Sequence, residues 1–196
     1  PYGLNTGRIR DQWHTMTRTG RTQRLLEHIE HPFVAINPQA AGQSGIEEGD
    51  LVEVETRQAK LSVLAVFDDG LKPKELFIPI HWNDQFASSA RVDSLVANIV
   101  DKVSGQPEFK FTPARIKKLN IMGWAMIVSR TEINCDNFSY WHRTVLNDGG
   151  YIYHIGVDDQ FDWQSFTANK RLIEQGPPQA YEHYLNTETS DQRFLY

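Results

Sequence analysis

The stretch Thr6-Gly7-Arg8-Ile9-Arg10-Asp11-Gln12-Trp13-His14-Thr15-Met16-Thr17-Arg18 sets hydroxyls, guanidinium groups, an indole and an imidazole into one short run. Gly7 lets a backbone approach a ligand closely, Arg8 offers a planar fork of donors, and Thr15 and Thr17 project to one side if the run is extended. That mixture suits a ligand carrying both phosphate and aromatic parts; a polar N-terminal arm is the plainer alternative. A second constellation, His81-Trp82-Asn83-Asp84, follows directly on a strand signal and combines stacking surface with hydrogen-bond donors and acceptors. His81 on its own also suits a hydrogen-bonded structural role, and Trp82 a core position. Lys110, after Gln106-Pro107-Glu108-Phe109, could answer a carbonyl or a phosphate, or simply face solvent.

Self-contained catalytic sets are missing from the sequence. It has no P-loop, no G-x-G-x-x-G, no G-x-S-x-G and no H-E-x-x-H. His28 and His31 are spaced like a helical metal pair, with Glu27 and Glu30 as the only carboxylates beside them. Asp68-Asp69 and Asp158-Asp159 read as turn formers.

The elements that must hold these groups are short and β-rich. Phe33 to Ile36 reads as a strand, followed by a short helix that Asn37 caps, Pro38 opens and Gly45 stops. Leu51 to Thr56 alternates as a half-buried strand, Lys60 to Phe67 is a more central one, and Leu76 to Ile80 is a third, which Pro79 assigns to an edge or a bulge. An irregular stretch from His81 to Lys110 has the length of a functional loop. Ala114 to Lys118 reads as a solvated basic connector closing a barrel-like unit over 1–118. Beyond it, 119–196 is expected to form a small α+β module: strands over Gly123 to Arg130 and Tyr151 to Val157, helices over Asn137 to Leu146 and Asp162 to Glu174, and a strand-turn-strand from Tyr181 to Tyr196. The expected class is thus mainly β with an α+β extension.

Composition narrows the function classes. With 40% hydrophobic and 23% charged residues in 196, the chain is neither disordered nor a disulfide scaffold. The formal net charge of -5 is unevenly spread: Arg8, Arg10, Arg18, Arg21 and Arg24 against Asp11 give residues 1–24 a net +4, which leaves -9 on the rest. The single cysteine, Cys135, cannot form an intrachain disulfide or assemble a metal cluster alone, so a reducing compartment is allowed. No apolar run approaches the roughly 20 residues of a membrane span. The opening on Pro1 suggests a piece of a longer protein.

Taken in order, Leu4-Asn5-Thr6-Gly7-Arg8 through Trp13-His14-Thr15-Met16-Thr17-Arg18, Gly45-Ile46-x-x-Gly49-Asp50, His81-Trp82-Asn83-Asp84-Gln85-Phe86 and Ser104-Gly105-Gln106-Pro107-Glu108-Phe109-Lys110 resemble the C-terminal cofactor-binding domain of the molybdopterin oxidoreductases, nearest to the assimilatory nitrate reductases of bacteria. The resemblance covers about 4–118. It implies a double-psi β-barrel that binds molybdopterin guanine dinucleotide, with Thr6, Gly7, Arg8, Trp13, His14, Thr15 and Thr17 along the pterin and pyrophosphate, His81, Trp82 and Asn83 as a second contact region, Lys110 as a third and Asp93 as a further candidate.

The resemblance also implies that the intact enzyme carries molybdenum bis(molybdopterin guanine dinucleotide) shared with other domains, and an iron-sulfur cluster outside this chain. Its expected partners are the remaining domains of the same polypeptide, an electron-donor protein or subunit, and nitrate as substrate, in a cytoplasmic setting without nucleic acid or membrane. The chain alone would have no reductase activity, since the cluster's cysteine motif and the molybdenum ligand belong elsewhere. For 119–196, packing or docking to a basic partner is expected from five basic and ten acidic residues between Asn120 and Tyr196. Two other classes compete with the cofactor reading. One is a nucleic-acid module using Arg8 to Arg24 with Trp13 for stacking, which the overall acidity disfavours. The other is a cofactor-free barrel for protein interaction, which expects no cavity lined by Arg8, His14 and Asn83.

Overall fold

The computed structural model describes residues 1–147 and 149–162 in full, and the backbone of the strands Tyr181–Asn186 and Asp191–Leu195. The chain packs as two compact units, one from Pro1–Thr17 with His31–Leu119, the other from Arg18–Glu30 with Asn120–Tyr196. Residues 18–30, adjacent in sequence to the Arg-rich opening, therefore pack within the second unit.

The first unit is a closed barrel of six strands: β1 (Tyr2–Gly7), β2 (Phe33–Ile36), β3 (Leu51–Glu55), β4 (Lys60–Phe67), β5 (Glu75–Pro79) and β6 (Thr112–Lys118), in the order β1-β5-β2-β4-β3-β6. Pairing is mixed. β1 runs parallel to β5 and β2 parallel to β4, while the other four contacts are antiparallel. The alternation legible in β3 and β4 sends Val52, Val54, Leu61, Val63 and Ala65 inward, where they meet Leu4, Val34, Ile36, Leu76 and Ile78. α1 (Gln23–Leu26) lies in the second unit, whereas α2 (Pro38–Gln43) closes one side of the barrel core with Ala40 and Ala41. Asn37 caps α2 as expected, its Oδ1 accepting from Gln39 N at 3.0 Å. Gly45, at φ 66°, ends it.

Two expectations for this unit are corrected. Ala114 to Lys118 is not a connector but part of β6, the strand that closes the barrel between β1 and β3. Its lysines stay on the outer face and pair across strands: Lys117 lies 3.1 Å from Glu53, and Lys118 lies 2.9 Å from Asp50. A basic strand is stable there because β3 supplies carboxylates in register, with Glu53 directly opposite Lys117. Nor is Pro79 on an edge strand. β5 lies inside the barrel wall, and Pro79 is its last residue, beyond the two positions that pair with β2. The missing N–H falls where no partner is needed, and Ile80 N resumes the ladder by donating to Gly7 O at 2.9 Å.

The second unit is an antiparallel sheet in the order β11-β10-β7-β9-β8, from β7 (Gly123–Ser129), β8 (Tyr140–Val145), β9 (Tyr151–Val157), β10 (Tyr181–Asn186) and β11 (Asp191–Leu195). α1 and the turn Thr19–Arg21 pack on β8, and Asn147 N donates to Gln23 Oε1 at 2.8 Å. The helix expected over Asn137 to Leu146 is strand β8 instead: Tyr140, His142 and Thr144 are buried while Trp141, Arg143 and Val145 are less so, a period of two in residues of high strand propensity. The expected hairpin after Tyr181 is present as β10 and β11, whereas the helix expected over Asp162 to Glu174 lies outside the described residues. His28 and His31 fall beyond the end of α1, so the helical spacing of that pair is lost. Among the described residues no helix is long and apolar enough to cross a membrane.

Candidate functional site

β1 and β5 run side by side in parallel and end together, Gly7 opposite Pro79. The chain segments leaving those two ends, Arg8 to Thr17 and Ile80 to Lys110, therefore emerge next to each other at one rim of the barrel. Between them lies a cavity of about 430 Å³, lined by Thr6, Gly7, Arg8, His14, Thr15, Ile80, Trp82, Asn83, Arg91, Val92, Asp93, Phe109 and Lys110. A cofactor-free barrel was expected to lack such a cavity.

The opening segment is not extended, so Thr15 and Thr17 do not share a face. Instead Trp13 to Met16 forms a tight turn, closed by Met16 N donating to Trp13 O at 3.0 Å, with His14 at φ 45° and Met16 at φ 59°. Left-handed backbone in residues other than glycine costs roughly 1–2 kcal/mol each, so the turn needs external support. Met16 supplies part of it by burying its side chain completely. The His81-Trp82-Asn83 run supplies the rest. His81 Nδ1 lies 2.7 Å from His14 O, and Asn83 Nδ2 donates to Thr15 O at 2.9 Å.

His81 is fully buried and also accepts from Ile9 N at 2.9 Å through Nε2. Accepting there requires a bare Nε2, which places the proton on Nδ1 and makes it the donor to His14. Burial pushes the imidazole below the ordinary histidine range, against the raising effect of the His14 carbonyl and together with the nearby Arg8 charge. The ring is therefore neutral at physiological pH. His81 is a brace behind the wall and not part of the lining, in keeping with the structural alternative left open for it.

The remaining expected residues divide in the same way. Trp82 is buried and reaches the cavity edge, with its ring in edge contact with Phe33 at 6.4 Å. Trp13 is 56% exposed and does not line the cavity, but Arg8 stands over its ring with the guanidinium carbon 5.0 Å from the centroid. Thr17 is exposed and outside the lining. Lys110 is drawn to the end of β1, its ammonium donating to Thr6 O while Thr6 Oγ1 donates to Phe109 O at 2.9 Å. Gly7 has a packing reason of its own: a Cβ there would meet the Phe77 ring at 2.9 Å.

Arg91 escaped the sequence reading. Nothing in Ser88-Ser89-Ala90-Arg91 marks it, and its place in the lining depends on the short turn Val92–Leu95, whose buried Val92 and Leu95 anchor the loop. Its guanidinium is loosely held, 3.9 Å from Asp84 and 3.6 Å from Asp93. Arg8, Arg91 and Lys110 thus bring three cations to one cavity, with Ile80, Trp82, Val92 and Phe109 as apolar walls and Thr15 and Asn83 as neutral hydrogen-bonding groups. Such a lining can hold an anionic group and flat heterocycles at once.

Comparison with known proteins agrees with this architecture. A family model described as Molydopterin dinucleotide binding domain matches residues 2–113. A nitrate reductase of Klebsiella oxytoca is 37% identical over 163 residues, 83% of this chain and 19% of that protein. The alpha subunit of an F420-dependent formate dehydrogenase from Methanocaldococcus jannaschii is 34% identical over 119 residues, 61% of this chain and 17% of that protein. Among solved structures, acetylene hydratase from Pelobacter acetylenicus superposes with a TM-score of 0.54 at 17% identity, over 61% of this chain and 18% of that one, a likeness of fold. The chain spans about a fifth of the length of the curated relatives it matches.

Proposed function

We propose, from the premise that this chain belongs to the molydopterin dinucleotide binding domain family, that its barrel-rim cavity holds the guanine dinucleotide form of molybdopterin within a nitrate reductase. The single observation that carries the reading is the convergence of Arg8, Arg91 and Lys110 on one cavity with apolar walls. The residues present fit the group. A pyrophosphate is matched by the guanidinium forks and the ammonium, and heterocycle edges by Thr15, Asn83 and Asp93.

When bound, the cofactor supplies two-electron oxygen-atom transfer from nitrate, releasing nitrite. The chain's own part is binding and orientation. Arg8 and Arg91 offer charge-assisted hydrogen bonds, Trp82 and Phe109 exclude water from one wall, and His81 and Asn83 hold the 13–16 turn in the shape that presents His14 and Thr15.

Nitrate is favoured over formate because the Klebsiella oxytoca enzyme is 37% identical over 163 residues, against 34% over 119 for the formate dehydrogenase. The activity belongs to the whole protein, in which an electron-donor partner, an iron-sulfur cluster, an assimilatory role and a cytoplasmic setting complete the reading. The test is turnover by the whole polypeptide with reduced viologen, a one-electron donor: nitrate should oxidise two equivalents of the dye for each nitrite formed. Formate-driven reduction of the dye with no response to nitrate would overturn the substrate.

A further inference from the structure

Outside the barrel, the second unit carries a row of donor side chains that the cofactor reading does not use. His142 on β8 and His154 on β9 are direct cross-strand partners, and their rings lie parallel within 10° at 4.8 Å between centroids. The next strand places Met126 opposite His154. Strand alternation puts these three on one face, while Ala125, Ile127, Tyr153 and Ile155 turn to the other and form a hydrophobic cluster. His142 is 4% exposed, and His154 and Met126 are half-buried. The row thus reads imidazole, imidazole, thioether across three neighbouring strands.

We infer that the row His142, His154 and Met126 binds a soft transition-metal cation, copper(I) in preference to zinc. Neighbouring strands are about 4.8 Å apart, so a turn of either ring about its χ2 brings nitrogens from both toward a common point, with the thioether one strand away. Among the described residues no group of three His, Cys, Asp or Glu gathers around a single point. The three donors of the row are two imidazoles and a thioether, with the Glu30 carboxylate near enough to His154 for its charge to act there; two nitrogens and a sulfur suit copper(I) before magnesium or calcium. Cys135, the single cysteine, belongs to the opposite face, within the hydrophobic cluster, and burial pushes its thiol up to about 12.

The test is titration of the full chain with copper(I) under reducing conditions against a colorimetric copper(I) chelator, with zinc and magnesium as comparison metals. One copper(I) per chain is expected, bound more tightly than zinc, with no response to magnesium and no change in Cys135→Ser. His154→Gln, at the half-exposed member of the pair, should weaken copper by about tenfold or more. Met126→Leu, which conserves volume, should weaken copper and leave zinc unchanged. Failure of the wild-type chain to compete with the chelator, loss of binding in Cys135→Ser, or unchanged copper affinity in either His154→Gln or Met126→Leu would overturn the assignment. Circular dichroism of each variant identifies any that fails to fold, and Met126→Leu keeps the test decisive if His154→Gln is one of them.

Discussion

His81 donates from Nδ1 to the carbonyl oxygen of His14 at 2.7 Å, and the residue it restrains sits at φ 45°. A buried neutral imidazole thus holds a strained turn that forms one wall of the cavity. Two sequence motifs that are 67 residues apart are joined by this bond, and it explains why a histidine outside the lining matters to it.

Replacing His81 by Ala should leave Ile9 N and His14 O without their partner in a part-buried setting. The expected loss is about 1–3 kcal/mol for each group that water cannot reach. Urea unfolding of the full chain measures it, and a variant as stable as wild type would contradict the bracing role. His81→Gln should recover part of the loss, since an amide can accept and donate at once.

Acid should weaken the barrel in two separate windows. Burial lowers the folded pKa of His81, so between its folded and unfolded values the unfolded chain takes up the proton. Stability is full above the ordinary histidine value and declines as pH falls from there toward the lowered one. Burial of Glu53 raises its pKa, but hydrogen bonds and charges from Lys117 and Lys60 outweigh it, and the net shift is downward. Its contribution is present above the ordinary carboxylate value and lost as pH falls through the lowered folded one. Urea midpoints measured against pH should show both declines, with Glu53→Gln reducing the more acidic one, to which Asp101 also contributes through its lowered pKa, and His81→Ala reducing the less acidic one.

Arg8→Ala removes one of three cations from the cavity. A hydrogen bond to a charged group contributes roughly 1.5–3 kcal/mol, so cofactor affinity should fall by about tenfold to a hundredfold. Molybdenum per polypeptide in the purified whole protein reads this out. Full molybdenum content with unaltered turnover in the variant would remove Arg8 from the cofactor contacts.

Gly7→Ala sets a methyl 2.9 Å from the Phe77 ring. Overpacking of this kind costs about 1–3 kcal/mol. The double variant Gly7→Ala with Phe77→Leu should be more stable than the sum of the single changes implies, as a double-mutant cycle would show. Strict additivity would mean that the glycine serves ligand approach alone.

Much of the barrel is legible residue by residue, because short strands with strict alternation, such as Leu51 to Glu55, and a capped helix opened by Asn37-Pro38 are local signals. Closure is not local. Nothing in Thr112 to Lys118 announces a barrel strand until Glu53 is placed opposite Lys117, since the lysines alone describe a solvated connector equally well. Tyr140 to Val145 was masked in the same manner by flanking residues that suit a helix, although its burial follows a period of two. In the site, the clustering of Arg8, His14, Thr15, Asn83 and Lys110 follows from motifs adjacent to strand ends. Arg91 had no motif, and His81 has the residue type of a ligand while its geometry makes it a support.

The most direct test of the central claim is the nucleotide released by acid hydrolysis of the purified whole protein. The account predicts guanine nucleotide and oxidised pterin in equal amounts, both sharply reduced in an Arg8→Ala, Arg91→Ala, Lys110→Ala triple variant that remains folded. A wild-type protein that releases no pterin, or a triple variant that keeps its full complement, would contradict it.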